Sequence, residues 1–300
     1  MYTLVTGANG LLGSVVIKTL RDRGDMVVGG YHSEPPEFEI PLHEMDITDT
    51  EHVATIVDDY DVETVINCAA YTDVDGCERE PEQAAEVNGI APGAIAKVCA
   101  ERGIDFVHYS TDYVFAGDAE ERYTEDSETN PIQEYGASKI AGEQAVRELG
   151  SDALILRLSF VYGARGDTGN LTGFPHWVAS TLAAGDEVPL FTDQWITPSR
   201  AGHVAETTFA LLEEGAAGLF HVASQSCVSP HEFGKQICEL ISADKTLIQT
   251  SSMADLEREA TRPRNSCLDI SKIEDELGRP QPTLSKDLSE LEGAFSDYRL

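Results

Sequence analysis

A tyrosine and a lysine stand four residues apart in Tyr135-Gly-Ala-Ser-Lys139. Residues i and i+4 share one face of a helix, so the phenol and the ammonium address the same site. A lysine beside a phenol stabilises the phenolate, which predicts a tyrosine pKa lowered towards working pH. Upstream, Gly7-x-x-Gly10-x-x-Gly13 is a pattern that lets backbone approach the pyrophosphate of a dinucleotide. Together the motifs describe hydride transfer: one seats a nicotinamide cofactor, the other supplies a proton. Taken singly, the first also describes a surface helix with a half-buried tyrosine. The second carries weight only between a strand and a helix.

The flanking sequence supplies that strand and helix. Tyr2 to Thr6 is short and β-branched, as in a buried parallel strand. Leu11 to Leu20 has helical apolar spacing, Gly24 is a natural C-cap, and Met26 to Gly30 reads as a second strand. Further along, the spacing predicts a helix over Asp49 to Tyr60, capped by Thr48 or Asp49, and a strand over Thr64 to Cys68. A long helix over Glu82 to Glu101 is interrupted by Pro92. A strand over Asp105 to Ser110, a helix over Tyr135 to Leu149 and a strand over Ala153 to Leu158 follow. This alternation predicts an α/β protein with a Rossmann-type doubly wound parallel sheet over residues 1–160. Residues 161–300 are expected to form mainly a smaller C-terminal substrate-binding lobe, in which Gly163 to Gly173, rich in Gly and Asp, reads as a loop near the active site. Segments near 191–223, including a strand over Gly218 to Ala223, return to the sheet.

Ligands of open parallel sheets sit at the carboxyl ends of strands. Three segments fall there: Gly7 to Gly13, Asn67 to Tyr71, and Ser110-Thr111-Asp112. Ser110 or Thr111 is placed to orient a substrate carbonyl, although turn-capping is the plainer role of such residues. Tyr135 would donate the proton and Lys139 would hold the nicotinamide ribose. The tip of the second strand has no acid until Glu34, which leans away from strict NAD. No lysine or arginine occurs between Arg23 and Arg79, so His32 and Ser33 are the candidates for a 2′-phosphate. The cofactor is therefore NADPH or NADH, with the balance leaning to NADPH. Asp46 suits an adenine amino group or a helix cap equally well. Arg262 and Arg264 suit a substrate diphosphate, because arginine forks match phosphate. The eight histidines are dispersed and read as core or surface residues, and no metal site is expected.

Composition bounds the class. A 300-residue chain with 41% hydrophobic content can bury a large core. No apolar run is long enough to span a bilayer, and the first strand begins at Tyr2, so no leader is expected. Six cysteines without a CxxC pair read as small buried hydrophobes in a reducing cytoplasm, not as disulfides. The charge is extreme, with 53 acidic against 21 basic residues and a net charge of −32. Acids spread along the whole chain predict a protein built for concentrated salt, which screens their repulsion. Seven lysines against fourteen arginines fit the same habit. The lack of a basic footprint disfavours nucleic acid.

The segments Gly7-Ala-Asn-Gly-Leu-Leu-Gly13, Met45-Asp-Ile-Thr-Asp49, Val65 to Asp75, Ser110-Thr-Asp-Tyr-Val-Phe115, Tyr135 to Glu143 and Arg262-Pro-Arg-Asn-Ser266 resemble one family. It is the dTDP-4-dehydrorhamnose reductase family of extended short-chain dehydrogenases/reductases, and the likeness runs over nearly the whole chain. The resemblance implies NAD(P)H-dependent reduction of the 4-keto group of a dTDP-deoxyhexulose, giving dTDP-L-rhamnose for glycan or polysaccharide synthesis. It implies catalytic roles for Thr111, Asp112, Tyr135 and Lys139. Cofactor contacts would come from Gly7, Asn9, Gly10, Leu11, Leu12, Gly13, His32, Ser33, Asp46, Ile47, Cys68, Ala69 and Ala70, with Tyr135 and Lys139. Tyr71, Thr72, Asn88, Phe160, Trp195 and Arg262 would face the nucleotide sugar. A homodimer is compatible with this reading. Phe160, Ile196 and His203 depart from the family pattern, in a region where substrate identity would be set. The rival readings are an epimerase or dehydratase of the same fold, and a non-catalytic NAD(P)-binding regulatory subunit. Dehydratases carry Asp-Glu after the threonine, whereas Asp112 here is followed by Tyr113.

Overall fold

The computed structural model describes residues 2–150 and 152–299. The order of elements is β1 (Tyr2–Thr6), α1 (Leu11–Arg23), β2 (Met26–Tyr31), β3 (Leu42–Glu44), α2 (Thr50–Asp59) and β4 (Val62–Asn67). Next come α3 (Val74–Arg79), α4 (Pro81–Ala84), α5 (Ala91–Arg102), β5 (Asp105–Thr111), α6 (Glu134–Leu149) and β6 (Leu154–Leu158). These six strands and the later β11 (Gly218–Val222) form one sheet of order β11-β6-β5-β4-β1-β2-β3. Every pairing in it is parallel.

Successive strand residues point to opposite faces, and each face carries its own core. Val5, Ile66, Val107 and Leu156 pack against Val16 and Ile17 of α1 and against Val204 and Phe209 of α8 (Ala201–Glu213). Leu4, Val65, Phe106 and Ile155 pack against Ile56 of α2, Ile95 of α5 and Val146 of α6. Each such fully buried Val, Ile or Leu contributes ~1.5–3 kcal/mol of hydrophobic free energy. The sheet is thereby enclosed on both sides, and its strands read as unbroken apolar runs.

A third core lies in the C-terminal half. Tyr162, Leu182, Val188, Phe233, Ile237 and Phe295 cluster there. They come from β7 (Val161–Ala164), α7 (Gly173–Ala183), β9 (Val188–Phe191), α9 (Pro230–Ile241) and the C-terminal segment. Ser229 closes a capping box with Glu232 at the start of α9. β8 (Leu171–Thr172) pairs with β7, and β10 (Ser199–Arg200) pairs with it on the other side. β12 (Ile248–Ser251) pairs with β9; α10 (Ser271–Leu277), α11 (Leu284–Ser289) and a short 3-10 turn at Ser296–Tyr298 follow.

Three expectations are corrected. The helical run through Pro92 is not interrupted there. It continues from Pro81 to Arg102, with residues Ala85–Ile90 wound as a π-helix. Proline cannot donate to the carbonyl four residues back and crowds it, and the wider π turn relieves that clash. Cys227 and Cys267 form a disulfide with 5.7 Å between their Cα atoms. Two strand-like crossings bring these loops together: Ile196 bridges to Val228, and Trp195 bridges to Asn265. The segment 163–173, expected to be a loop, contains the antiparallel β7–β8 pair.

Candidate active site

The glycine motif turns the chain from β1 into α1. Gly7 has φ +63°, and a Cβ there would lie 2.7 Å from the Ala69 amide nitrogen. A Cβ on Gly13 would overlap the Gly7 carbonyl oxygen. Only glycine lets β1, β4 and α1 meet this closely. Gly10 caps α1 without any side-chain hydrogen bond, and the first turn carries no acid. In a chain of charge −32 that omission leaves the helix N-terminus open to an anion. The Arg165 guanidinium donates to the Asn9 carbonyl at 2.7 Å, and the Gly166 amide donates to Ser14 Oγ at 3.0 Å. The segment after β7 is thus fastened against the glycine loop.

A cleft of about 660 Å³ opens along the carboxyl ends of β1, β2, β4 and β5. It is lined by Gly7, Asn9, Gly10, Leu11, Leu12, Gly13, His32, Asp46, Ile47, Cys68, Ala69 and Ala70 at one end. Thr111, Asp112, Tyr135, Lys139, Tyr71, Thr72 and Phe160 line it too. The two motifs therefore open into one space, and its apolar walls with a few polar groups are typical of a ligand site. Phe160 holds its place with φ +45°, unusual for a bulky residue, and packs edge-on against Phe174 at 5.4 Å.

Four expected residues lie off the lining. Ser33 is exposed beyond the tip of β2. Asn88 is buried one layer back: its side chain accepts from the Tyr71 amide at 2.8 Å and donates to the Tyr71 carbonyl at 2.9 Å. It therefore fixes Tyr71, which does line the cleft. Trp195 is about one-third exposed and uses its backbone to pair with the segment at Arg264 to Ser266. Arg262 is engaged by Asp75 at 2.9 and 3.2 Å, while Arg264 is exposed. Of the three departures from the family pattern, Phe160 and Ile196 line the cleft. His203 is buried in α8 against Gln281 at 2.7 Å.

Sequence reasoning missed Tyr31, Tyr113, Gln83, Val87 and Val161, all of which line the cleft. Tyr31 was signalled by its place at a strand end. Gln83 and Val87 sit in the irregular helix before Pro92 and carry no local signal. Asp46 accepts from the Thr48 amide and hydroxyl at 2.9 and 2.8 Å, bonds that hold its carboxyl below the ordinary value. The α2 cap falls to Asp49, which accepts from His52 at 3.1 Å.

The electrostatics correct the expected tuning of Tyr135. Burial, then the nearby Asp112, push its phenol well above the ordinary value. The Thr111 hydroxyl acts in the opposite direction. Lys139 is buried too, and desolvation brings its ammonium down to about 8. It donates to the Tyr109 carbonyl at 2.6 Å. Tyr135 thus starts as a neutral phenol, a proton donor. Burial lifts Asp112 to about 6, although it accepts from Ser159 at 2.8 Å and from Thr111 at 3.0 Å. Ser110 donates to Glu143 at 2.6 Å, a shorter bond than the 3.0 Å one from Thr111 to Asp112, so Thr111 is the hydroxyl more readily turned to a carbonyl.

The family model described as RmlD substrate binding domain matches residues 1–295. The chain belongs to the RmlD substrate binding domain family. Within this family it is 66% identical over 298 residues to a probable low-salt glycan biosynthesis reductase, Agl14, of Haloferax volcanii, covering 99% of each chain. It is 35% identical over 270 residues to a dTDP-4-dehydrorhamnose reductase of Mycolicibacterium smegmatis, covering 88% of this chain and 77% of that one. The crystal structure of dTDP-4-dehydrorhamnose reductase from Bacillus anthracis in complex with NADP superposes with a TM-score of 0.83 at 29% identity. That superposition covers 97% of this chain and 98% of the other. The RmlD-type fold is thus the Rossmann sheet described above.

Proposed function

We propose that this protein reduces the 4-keto group of a dTDP-linked 6-deoxyhexulose, dTDP-4-dehydrorhamnose, to give dTDP-L-rhamnose for glycan synthesis. It is an NAD(P)-dependent oxidoreductase. One observation carries the reading: Thr111, Tyr135 and Lys139 open into the cleft that also holds the Gly7–Gly13 loop.

The residues present fit a dinucleotide. The crowded Gly7 turn and the uncapped, acid-free start of α1 suit a pyrophosphate. Gly10, Leu11 and Leu12 would hold it, with Asp46 and Ile47 towards the adenine and Cys68, Ala69 and Ala70 along the middle. Among the described cleft residues neither an acid nor an arginine stands at the tip of β2, where Tyr31 and His32 line the wall. This arrangement supports use of either cofactor, with a lean to NADPH.

When bound, the reduced nicotinamide supplies the hydride. The chain's own residues then handle charge and proton. Thr111 donates a hydrogen bond to the substrate carbonyl and fixes its direction. Tyr135 transfers its phenolic proton to the carbonyl oxygen as negative charge develops there. Such a positioned donor contributes roughly a hundredfold or more in rate. The Lys139 ammonium stabilises the resulting phenolate and offers a donor to the ribose. The Thr111 hydroxyl has one hydrogen, which rests on Asp112 at 3.0 Å and turns to the carbonyl when substrate binds.

The lobe built on residues 161–300 would supply the substrate wall through Val161 and Ile196, next to Phe160 at the end of the Rossmann part. Dispersed acidity and the Haloferax relative support work in a concentrated-salt cytoplasm, and a homodimer remains part of the reading. No described helix is long and apolar enough to cross a membrane.

The test is a panel of keto-sugar nucleotides with NADH or NADPH at molar KCl. Loss of absorbance at the reduced-cofactor band, with one product hydroxyl per cofactor oxidised, is expected for the dTDP-4-keto sugar. No turnover with any member would favour a binding subunit.

A further inference from the structure

The mechanism leaves a buried histidine beside Lys139 unused. His108 lies on β5 just before Tyr109, and its side chain is fully buried. Its Nε2 is 3.4 Å from Lys139 Nζ, and its Nδ1 is 3.2 Å from the Asn67 amide group. Asn67 in turn accepts from the Thr6 hydroxyl at 2.6 Å. Thr6, Asn67 and His108 stand on the adjacent strands β1, β4 and β5 and form a buried polar file that ends on Lys139. We propose that His108 is a positioning residue that holds the Lys139 ammonium at the cleft wall and sets the proton affinity of that lysine.

The hydrogen-bond inventory supports this. An ammonium has three donors. The Tyr109 carbonyl takes one, and His108 Nε2 is placed for a second. The third is left for the cleft that Lys139 lines. Among the described residues, Nζ has no other hydrogen-bond partner. A neutral imidazole offers one donor and one acceptor. With Lys139 charged, Nε2 accepts and Nδ1 carries the hydrogen, which requires the Asn67 amide to flip from the arrangement seen, turning its oxygen to Nδ1 and its NH2 to Thr6 Oγ1. With Lys139 neutral, Nε2–H donates to the amine and Nδ1 accepts from the Asn67 NH2. The file therefore satisfies either state of the lysine by exchanging tautomers together with a flip of the Asn67 amide. Burial and the Lys139 ammonium both push the His108 pKa down, so the imidazole stays neutral throughout. Phe106 lies parallel to the ring at 6.4 Å and restrains it.

The other groups around Lys139 are accounted for. On its own helix Glu143 favours the ammonium, but that carboxylate is shared with Arg157 at 2.7 and 2.8 Å and with Ser110 at 2.6 Å. Cys68 just after β4, Tyr109 of β5 and Tyr135 of α6 are neutral, because burial raises each of them. Asp112 lines the same cleft and is bonded to Ser159 and Thr111. Among the described residues, His108 is thus the one side chain within hydrogen-bond distance of Nζ.

The proposal deepens the reading of the same site, but its main test needs neither substrate nor cofactor. The chain has only seven lysines, so 13Cε-lysine labelling gives a tractable NMR titration. A Lys139→Met sample assigns the resonance. In the parent it is expected to titrate near 8. His108→Leu removes the acceptor, and His108→Asn is too short to reach Nζ. Each is expected to lower the Lys139 pKa by about one unit, a tenfold loss of proton affinity. His108→Gln places an amide oxygen near the Nε2 position and is expected to bring most of it back. The alkaline limb of the kcat–pH profile should move with the resonance. An unchanged Lys139 titration in folded Leu and Asn variants would overturn the proposal. Should the Leu variant fail to fold, the Asn and Gln pair decides it alone. Failure of the keto-sugar assay would leave this titration standing, so the two readings fail separately.

Discussion

Arg262 and Asp75 form a two-pronged ion pair, with guanidinium nitrogens 2.9 and 3.2 Å from the two carboxylate oxygens. The pair joins α3, whose Val74 lines the cleft, to the C-terminal segment. The Ala260 amide adds a third bond to the same carboxylate at 2.9 Å, and Arg79 meets Glu259 alongside at 3.0 Å. An arginine read from sequence as a phosphate ligand is therefore held off the cleft lining by an acid 187 residues away.

A nucleotide diphosphate that reached Arg262 would share it with Asp75. Arg262→Met is expected to raise KM for the nucleotide sugar about tenfold, the size of one charge-assisted contact, with a much smaller change in kcat. Steady-state kinetics at saturating NADPH measures it. An unchanged KM would remove Arg262 from the substrate side.

Asp112 makes stability depend on pH with a defined sign. Its carboxyl is raised from 3.8 to about 6 in the folded protein, chiefly by burial. The folded state thus holds a proton that the unfolded chain has already lost. Stability falls as pH climbs from about 4 to about 6, and the loss amounts to ~3 kcal/mol above that window. Asp112→Asn retains an acceptor for Ser159 and Thr111 and removes the charge. Its stability relative to the parent should grow across that window and then level off. Asp287, also raised to about 6 by burial, cancels in the comparison. Urea unfolding at fixed molar KCl measures the difference, and parallel curves would contradict the account.

The surface acids set the salt response. A net charge of −32 repels across a Debye length of ~10 Å at 0.1 M salt, and about 3 Å at 1 M. The unfolding midpoint is expected to rise with KCl through the molar range. Full stability in dilute buffer would show that the acidity has another purpose.

Much of the cofactor end was legible because its determinants are local. The three glycines, the strand before them and the helix after them lie within 22 residues of one another, from Tyr2 to Arg23. Thr111, Tyr135 and Lys139 could be placed because strand ends and helix faces follow from periodicity. The remainder depends on partners far apart in the chain. Cys227 and Cys267 are separated by 40 residues and meet through two isolated bridges, which no spacing rule announces. β3 has only three residues at the sheet edge and leaves almost no pattern. The pKa of Tyr135 follows from burial, not from the lysine one turn along, and burial is a property of the assembled lobes. Lys139 spends its strongest hydrogen bond on a main-chain carbonyl, an acceptor every residue possesses.

The central claim is that the Tyr135 phenol protonates the carbonyl as it is reduced. Single-turnover oxidation of NADPH by the 4-keto sugar nucleotide, compared between the parent and Tyr135→Phe in molar KCl, tests it most directly. The account predicts a rate at least a hundredfold lower in the variant, with sugar and cofactor still bound. A variant that reduces the sugar at the parent's rate would contradict it.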